Sequence, residues 1–283
     1  MKKKTRVSVM RSDLADPQVF DELLKLRAVE NPQYGVWGVR FESDDPILKQ
    51  VLDTLHARGM VPWLDHSRLP LPNEYKINVS VTFESSDLKK APLLSPTPWH
   101  HLTNAYTRNE LGEVIIDTEK LYEVEPSAKS NFFAGTLPLA VAGPVIIVAD
   151  SFRHMMEGEH IIGVKFEDKL RIIGPNANKV PEKYWVLTSD LVLPPLSKSI
   201  KKVDKQGRPV QSDDFINCSM APGEIYKYDA SALAPLGEFD YAIMWESRDQ
   251  EERFPVVSNR FYKLCRKAKA KLQWEPIEII ATT

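Results

Sequence analysis

The chain has 283 residues, 43% apolar and 27% charged, with a net charge of −2. That length can bury a sizeable core as one or two domains, and the near-neutral balance gives no overall electrostatic reason to expect nucleic acid. The two cysteines, Cys218 and Cys265, lie far apart and form no CxxC pair, which argues against a disulfide framework and a cysteine-rich zinc site.

The opening MKKKTRVSVM is basic but lacks the apolar core of a signal peptide, and no later run reaches the ~20 apolar residues of a membrane span. The expectation is a cytoplasmic chain with no membrane association. Thr5 to Met10 alternates as a strand would. A helix is expected from Pro17 to Ala28, with Asp16 as cap and Phe20, Leu23, Leu24 and Leu26 apolar. Tyr34 to Trp63 then reads as strand, helix and strand: Asp44 or Asp45 with Pro46 opens the helix, Ile47, Leu48, Val51, Leu52 and Leu55 form its stripe, and Gly59 stops it. Lys76 to Glu84 is the cleanest period-two strand, with Ile77, Val79, Val81 and Phe83 on one face.

Leu88 to Trp99 carries three prolines and marks the expected boundary between an N-terminal α/β region, 1–95, and a C-terminal α+β region, 96–283, with a covered surface loop as the competing reading. Gly112 to Asp117, Lys169 to Ile173 and Tyr184 to Leu193 are strand candidates, and Asn131 to Pro138 is a turn-rich approach. Pro194 to Asp214 is polar, rich in turn formers and poor in residues that pack, so it reads as an exposed loop or hairpin excursion.

The closing stretch, 254–280, has the fullest grammar. Val256 and Val257 suit a buried strand, Ser258 or Asn259 can cap a helix beginning near Arg260, and Phe261, Leu264, Cys265 and Ala268 fall on one face. Leu272 to Ile280 alternates as a second strand. The same grammar occurs at 143–167: setting Val148 on Val257 places Phe152 on Phe261 and Met156 on Cys265, and a one-residue gap brings Phe166 onto Trp274. This pattern predicts an internal duplication, with Tyr34 to Trp63 as a looser third copy. The expected fold class is α+β, with mixed sheets built from repeated strand-helix-strand units.

Motif chemistry is sparse. The sequence holds no P-loop, no GxGxxG after a strand, no HExxH, no GxSxG and no EF-hand loop. No cofactor or metal is expected. His100 and His101 beside Trp99 are the one tempting cluster, although neighbours in a strand point to opposite faces. Arg260, Lys263, Lys267 and Lys271 recur at steps of three and four, a cationic stripe suited to a protein partner; Glu238, Asp240, Glu246, Asp249, Glu251 and Glu252 precede it and could fold back to neutralise it. No aromatic interleaving for base stacking accompanies that stripe.

The sequence DASALAPLGEFDYAIMWES from Asp229, followed by FPVVSNRFYKLCRKAKAKLQWEPIEI, resembles the C-terminal end of the bacterial double-CxxCG motif proteins, a group similar to immunity proteins of contact-dependent toxin systems. The likeness spans Leu137 to Ile280 and includes the Arg260 and Phe261 pair. Where that group carries its CxxCG motifs, this chain has the Pro194 to Asp214 stretch and the single Cys218, so no cysteine chemistry carries over. The resemblance implies a non-catalytic protein that binds and neutralises a protein partner such as a toxin; the candidate anchors are Arg260, Lys263, Lys267 and Trp274, with exposed residues of the Pro194 to Asp214 stretch. Two alternatives stand beside it: an enzyme with a non-local active site, such as a hydrolase using His100 or His101, and a scaffold protein.

Overall fold

A computed structural model of the chain describes residues 2–10, 18–26, 36–42, 45–63, 74–98, 102–124, 126–142, 145–204, 209–210, 218–220, 224–247 and 253–281. The architecture is α+β with mixed sheets. The chain divides into two compact units, Met1–Ser85 with Lys198–Ile225, and Ser86–Ser197 with Tyr226–Thr283. Among the described residues no helix is long and apolar enough to cross a membrane.

In chain order, the first unit opens with β1 (Lys2–Met10), α1 (Gln18–Leu26), β2 (Val36–Glu42), α2 (Pro46–Ala57), β3 (Val61–Trp63) and β4 (Glu74–Thr82). Their sheet runs β2-β1-β4-β3. The α2 signals act as read: Asp45 Oδ1 accepts the Ile47 N–H at 2.9 Å, Pro46 stands in the first turn, and Gly59 follows at positive φ. Val51 and Leu55 are buried against Val7, Leu23, Val39 and Phe41, with Ile47, Leu48 and Leu52 packed around them.

The second unit begins with α3 (Ser85–Lys90), β5 (Leu93–Pro98), β6 (Tyr106–Arg108), β7 (Val114–Asp117), α4 (Pro126–Phe133), β8 (Leu139–Ala142) and β9 (Val145–Ala149). It continues through α5 (Asp150–Gly158), β10 (Lys165–Glu167), β11 (Leu170–Ile173) and β12 (Tyr184–Thr188). The chain then returns to the first unit for β13 (Lys202–Asp204), β14 (Pro209–Val210) and β15 (Cys218–Met220). It closes in the second with β16 (Lys227–Asp229), α6 (Ala230–Leu233), β17 (Tyr241–Ser247), β18 (Arg253–Ser258), α7 (Asn259–Lys267) and β19 (Leu272–Ile280).

The proline-bearing stretch Leu88 to Trp99 supplies β5, the middle strand of the sheet β16-β19-β5-β18-β17, and the second unit begins just before it, at Ser86. Pro96 and Pro98 face Trp274 and Leu272, while Pro276 faces Leu94, so all three prolines share one phase of the β5–β19 ladder. The alternate residues Leu93, Ser95 and Thr97 therefore carry its hydrogen bonds, and β18 pairs β5 only at Leu93 and Leu94, before the prolines begin. The Pro194 to Asp214 stretch forms a hairpin, β13 pairing antiparallel with β14, as one of its two readings expected; it is not wholly exposed, since Leu196, Ser197 and Ile200 are buried and β13 also pairs with β15. Asn131 to Phe133 belongs to α4 rather than to a turn.

The two strand-helix-strand stretches of the second unit correspond closely. Each helix follows its strand directly and runs nine residues. Phe152 and Met156 of α5, and Phe261 and Cys265 of α7, are all buried in one shared cluster with Val148 and Val257. Both helices end in the same backbone turn: Glu159, His160 and Ile161 donate to Met155, Glu157 and Met156 carbonyls, as Ala268, Lys269 and Ala270 donate to Leu264, Arg266 and Cys265. His160 (φ 51°) and Lys269 (φ 58°), one in each turn, are the non-glycine residues at positive φ among those described.

Their sheets are linked crosswise. In the order β10-β12-β9-β8, the strands flanking α5 bracket β12; in β19-β5-β18-β17, those flanking α7 bracket β5. Each inserted strand is antiparallel to both neighbours. Since β5 precedes the α5 stretch and β12 precedes the α7 stretch, each stretch completes its sheet with the strand that leads the other. The Tyr34 to Trp63 stretch differs, because β2 and β3 sit at opposite edges of their sheet with two strands between them.

Candidate partner-binding face

The exposed side of α7 is built on a buried carboxylate. Ser258 caps the helix, its Oγ accepting the N–H groups of Arg260 (3.1 Å) and Phe261 (3.2 Å) and donating to Asp240 Oδ1 at 2.6 Å. Asp240 Oδ2 accepts the Ile162 N–H at 3.0 Å and Arg260 Nη1 at 3.1 Å. The Asp240 N–H donates to the Ile162 carbonyl, so this residue ties the turn after α5 to the start of β17. Only 6% of its side chain is exposed, against 48% for Arg260. A buried charge requires such a full set of partners.

Arg260 also donates through Nη2 to the Glu159 carbonyl, and Lys267 Nζ lies 3.0 Å from Glu159 Oε1. That hydrogen bond from Lys267, with the charges of Lys267 and Arg260, holds the Glu159 carboxyl below its ordinary range. The C-terminal end of α5 thus supplies partners to two of the cations on α7.

The four residues expected as anchors stand in different states. Arg260 is held and half exposed, Lys267 is exposed and paired, and Lys263 is exposed with no ion pair among the described residues. Trp274 is half-buried: its ring meets that of Tyr262 edge-on, with centroids 5.0 Å apart, and packs β19 onto α7. His100 and His101 lie outside the described residues. Of the acids expected to fold back, Asp240 does so, Glu246 is buried and accepts the Leu196 N–H, Glu238 is exposed, and Asp249, Glu251 and Glu252 lie outside the described residues. Among the described residues no group of three or more His, Cys, Asp or Glu side chains is placed to hold a metal ion. The buried Cys265 thiol is pushed up by desolvation, away from thiolate chemistry.

Sequence reasoning missed Glu159 and Ile162. The second is 45% exposed, and its N–H shares Asp240 Oδ2 with Arg260. Neither carries a local signal, because both reach α7 only through the packing of the two stretches. Trp245 is 59% exposed at the bulge between β17 and β18, some 16 Å of strand from Asp240 at about 3.3 Å per residue. Comparison with protein-family models finds no match, and comparisons with curated proteins and with solved structures likewise find none.

Proposed function

We propose that this chain is a non-catalytic, cytoplasmic protein-binding protein, similar to the immunity proteins its closing sequence resembles, that neutralises or sequesters a protein partner through the exposed face of α7. The observation that carries the reading is Arg260: its guanidinium is fixed by Asp240 and the Glu159 carbonyl yet half open, and it stands beside the exposed Ile162. Arginine is over-represented among residues that dominate interfaces, and a side chain already held in place loses less entropy on binding. A stable complex needs about 1,600 Å² of total buried surface, so this face forms the centre of a wider contact.

The test uses the tagged full chain as bait in lysate from its source, followed by purification of any captured protein. A single stoichiometric protein whose affinity falls about ten-fold or more with Ile162→Asp supports the reading. Recovery of the bait alone, or full affinity in the variant, removes it.

A further inference from the structure

The nine residues of α7 include four cations, Arg260, Lys263, Arg266 and Lys267, and no acid. All four are exposed, and they sit three or four residues apart, so each neighbours another of the same sign along the solvent side. Asp240 and Glu159 satisfy Arg260 and Lys267; among the described residues Lys263 and Arg266 have no ion pair.

Burial of the helix does not demand this charge. The corresponding residues on α5 are Ser151, His154, Glu157 and Gly158, and that helix buries Phe152 and Met156 in the same cluster as Phe261 and Cys265. The one arginine of α5 is internally satisfied: Arg153 pairs with Asp150 at 2.9 Å and Glu157 at 2.5 Å, and lies over the Trp185 ring at 4.7 Å. Two helices with matched cores thus differ in whether their surface charge is closed within the chain.

Resting on the protein-binding reading above, we propose that the partner presents an acidic surface to α7, its carboxylates pairing with Lys263 and Arg266 and taking Lys267 over from Glu159. Opposed charges across an interface set orientation and accelerate encounter, and exposed pairs of this kind weaken with salt.

The test follows backbone amide NMR of the full chain titrated with a decaglutamate peptide, with decalysine and a ten-residue single-stranded DNA as controls. Decaglutamate is expected to shift the amides of Lys263, Arg266 and Lys267 but not those of His154 and Glu157. The response should weaken as salt rises from about 0.05 to 0.15 M, and fall at least ten-fold in Lys263→Glu/Arg266→Glu. Both substitutions are at exposed positions, and an unchanged melting temperature would show that the fold is retained. No α7 shift, equal shifts on α5, or a stronger DNA response at α7 overturns the proposal. A purified partner that binds the double variant as tightly as the parent also overturns it while leaving the protein-binding reading in place; failure to find any stoichiometric partner removes both.

Discussion

The α5 and α7 stretches solve one packing problem with two surfaces. Both bury an aromatic residue and a sulfur-bearing residue one turn apart, and both end in the same left-handed turn. Their exteriors share little: α7 is capped by its own Ser258, whereas the Ser151 N–H of α5 is capped by the distant Glu182 at 3.0 Å. Around α5, Trp185 donates to Asp150 at 2.6 Å and Lys183 lies 3.9 Å from the Trp185 ring, closing the polar groups among themselves. Around α7 two cations remain open to solvent. Core identity therefore governs the fold of these stretches, while surface charge is free to serve something else.

The largest expected effects test whether the cores are equivalent. Phe152→Ala and Phe261→Ala should each destabilise by about 3–5 kcal/mol in urea unfolding, since each ring is 1% exposed in the shared cluster; a cost at one site only would break the correspondence. Gly163→Ala should come close behind, at about 3 kcal/mol or more. Its φ of +90° disfavours any side chain, and a Cβ there would stand 2.2 Å from the Tyr241 carbonyl oxygen. Gly158→Ala, with nothing within 4 Å of the added carbon, should instead be neutral or stabilise by up to about 1 kcal/mol.

Asp240→Ala should cost about 2–3 kcal/mol, because it strands the Ile162 N–H and one side of Arg260. Ser258→Ala should cost about 1–2 kcal/mol through loss of the cap. Thermal melts of the two variants measure these costs; on α5 the cap comes from Glu182 instead.

The smallest effect is in pH. The carboxyl of Glu159 sits below its ordinary value of 4.5, so its contribution is fully present above that value and is lost as pH falls through the lowered one. An NMR titration in which Lys267→Met returns the Glu159 carboxyl toward its ordinary value would sharpen the assignment; no movement would show that Lys267 is not the cause.

Where chemistry and spacing are local, the sequence was legible. Asp45, Pro46 and Gly59 bounded α2, the choice between Ser258 and Asn259 fell to Ser258, and the Phe261, Leu264 and Cys265 face is buried. The β5 strand was not legible, because proline argues against a central strand unless the phase of the ladder is known. Nor was the role of Glu159, which reaches Lys267 from a residue more than a hundred positions away. The setting of Trp274, expected as an anchor, was not legible either: the edge-on contact with Tyr262, twelve residues earlier on α7, draws it inward.

The crosswise placement of β5 and β12 bears on how the chain is made. Leu93–Pro98 leaves the ribosome well before Arg253–Ser258 and Leu272–Ile280, the only strands that pair with it among the described residues. At about 5–20 residues per second, that nascent segment waits on the order of ten seconds with Leu93 and Leu94 unsheltered. During this interval an ordinary apolar strand would be an open template for misassociation. Pro96 and Pro98 withhold two amide hydrogens from any intruding chain, yet cost nothing once Trp274 and Leu272 arrive in the phase that does not need them.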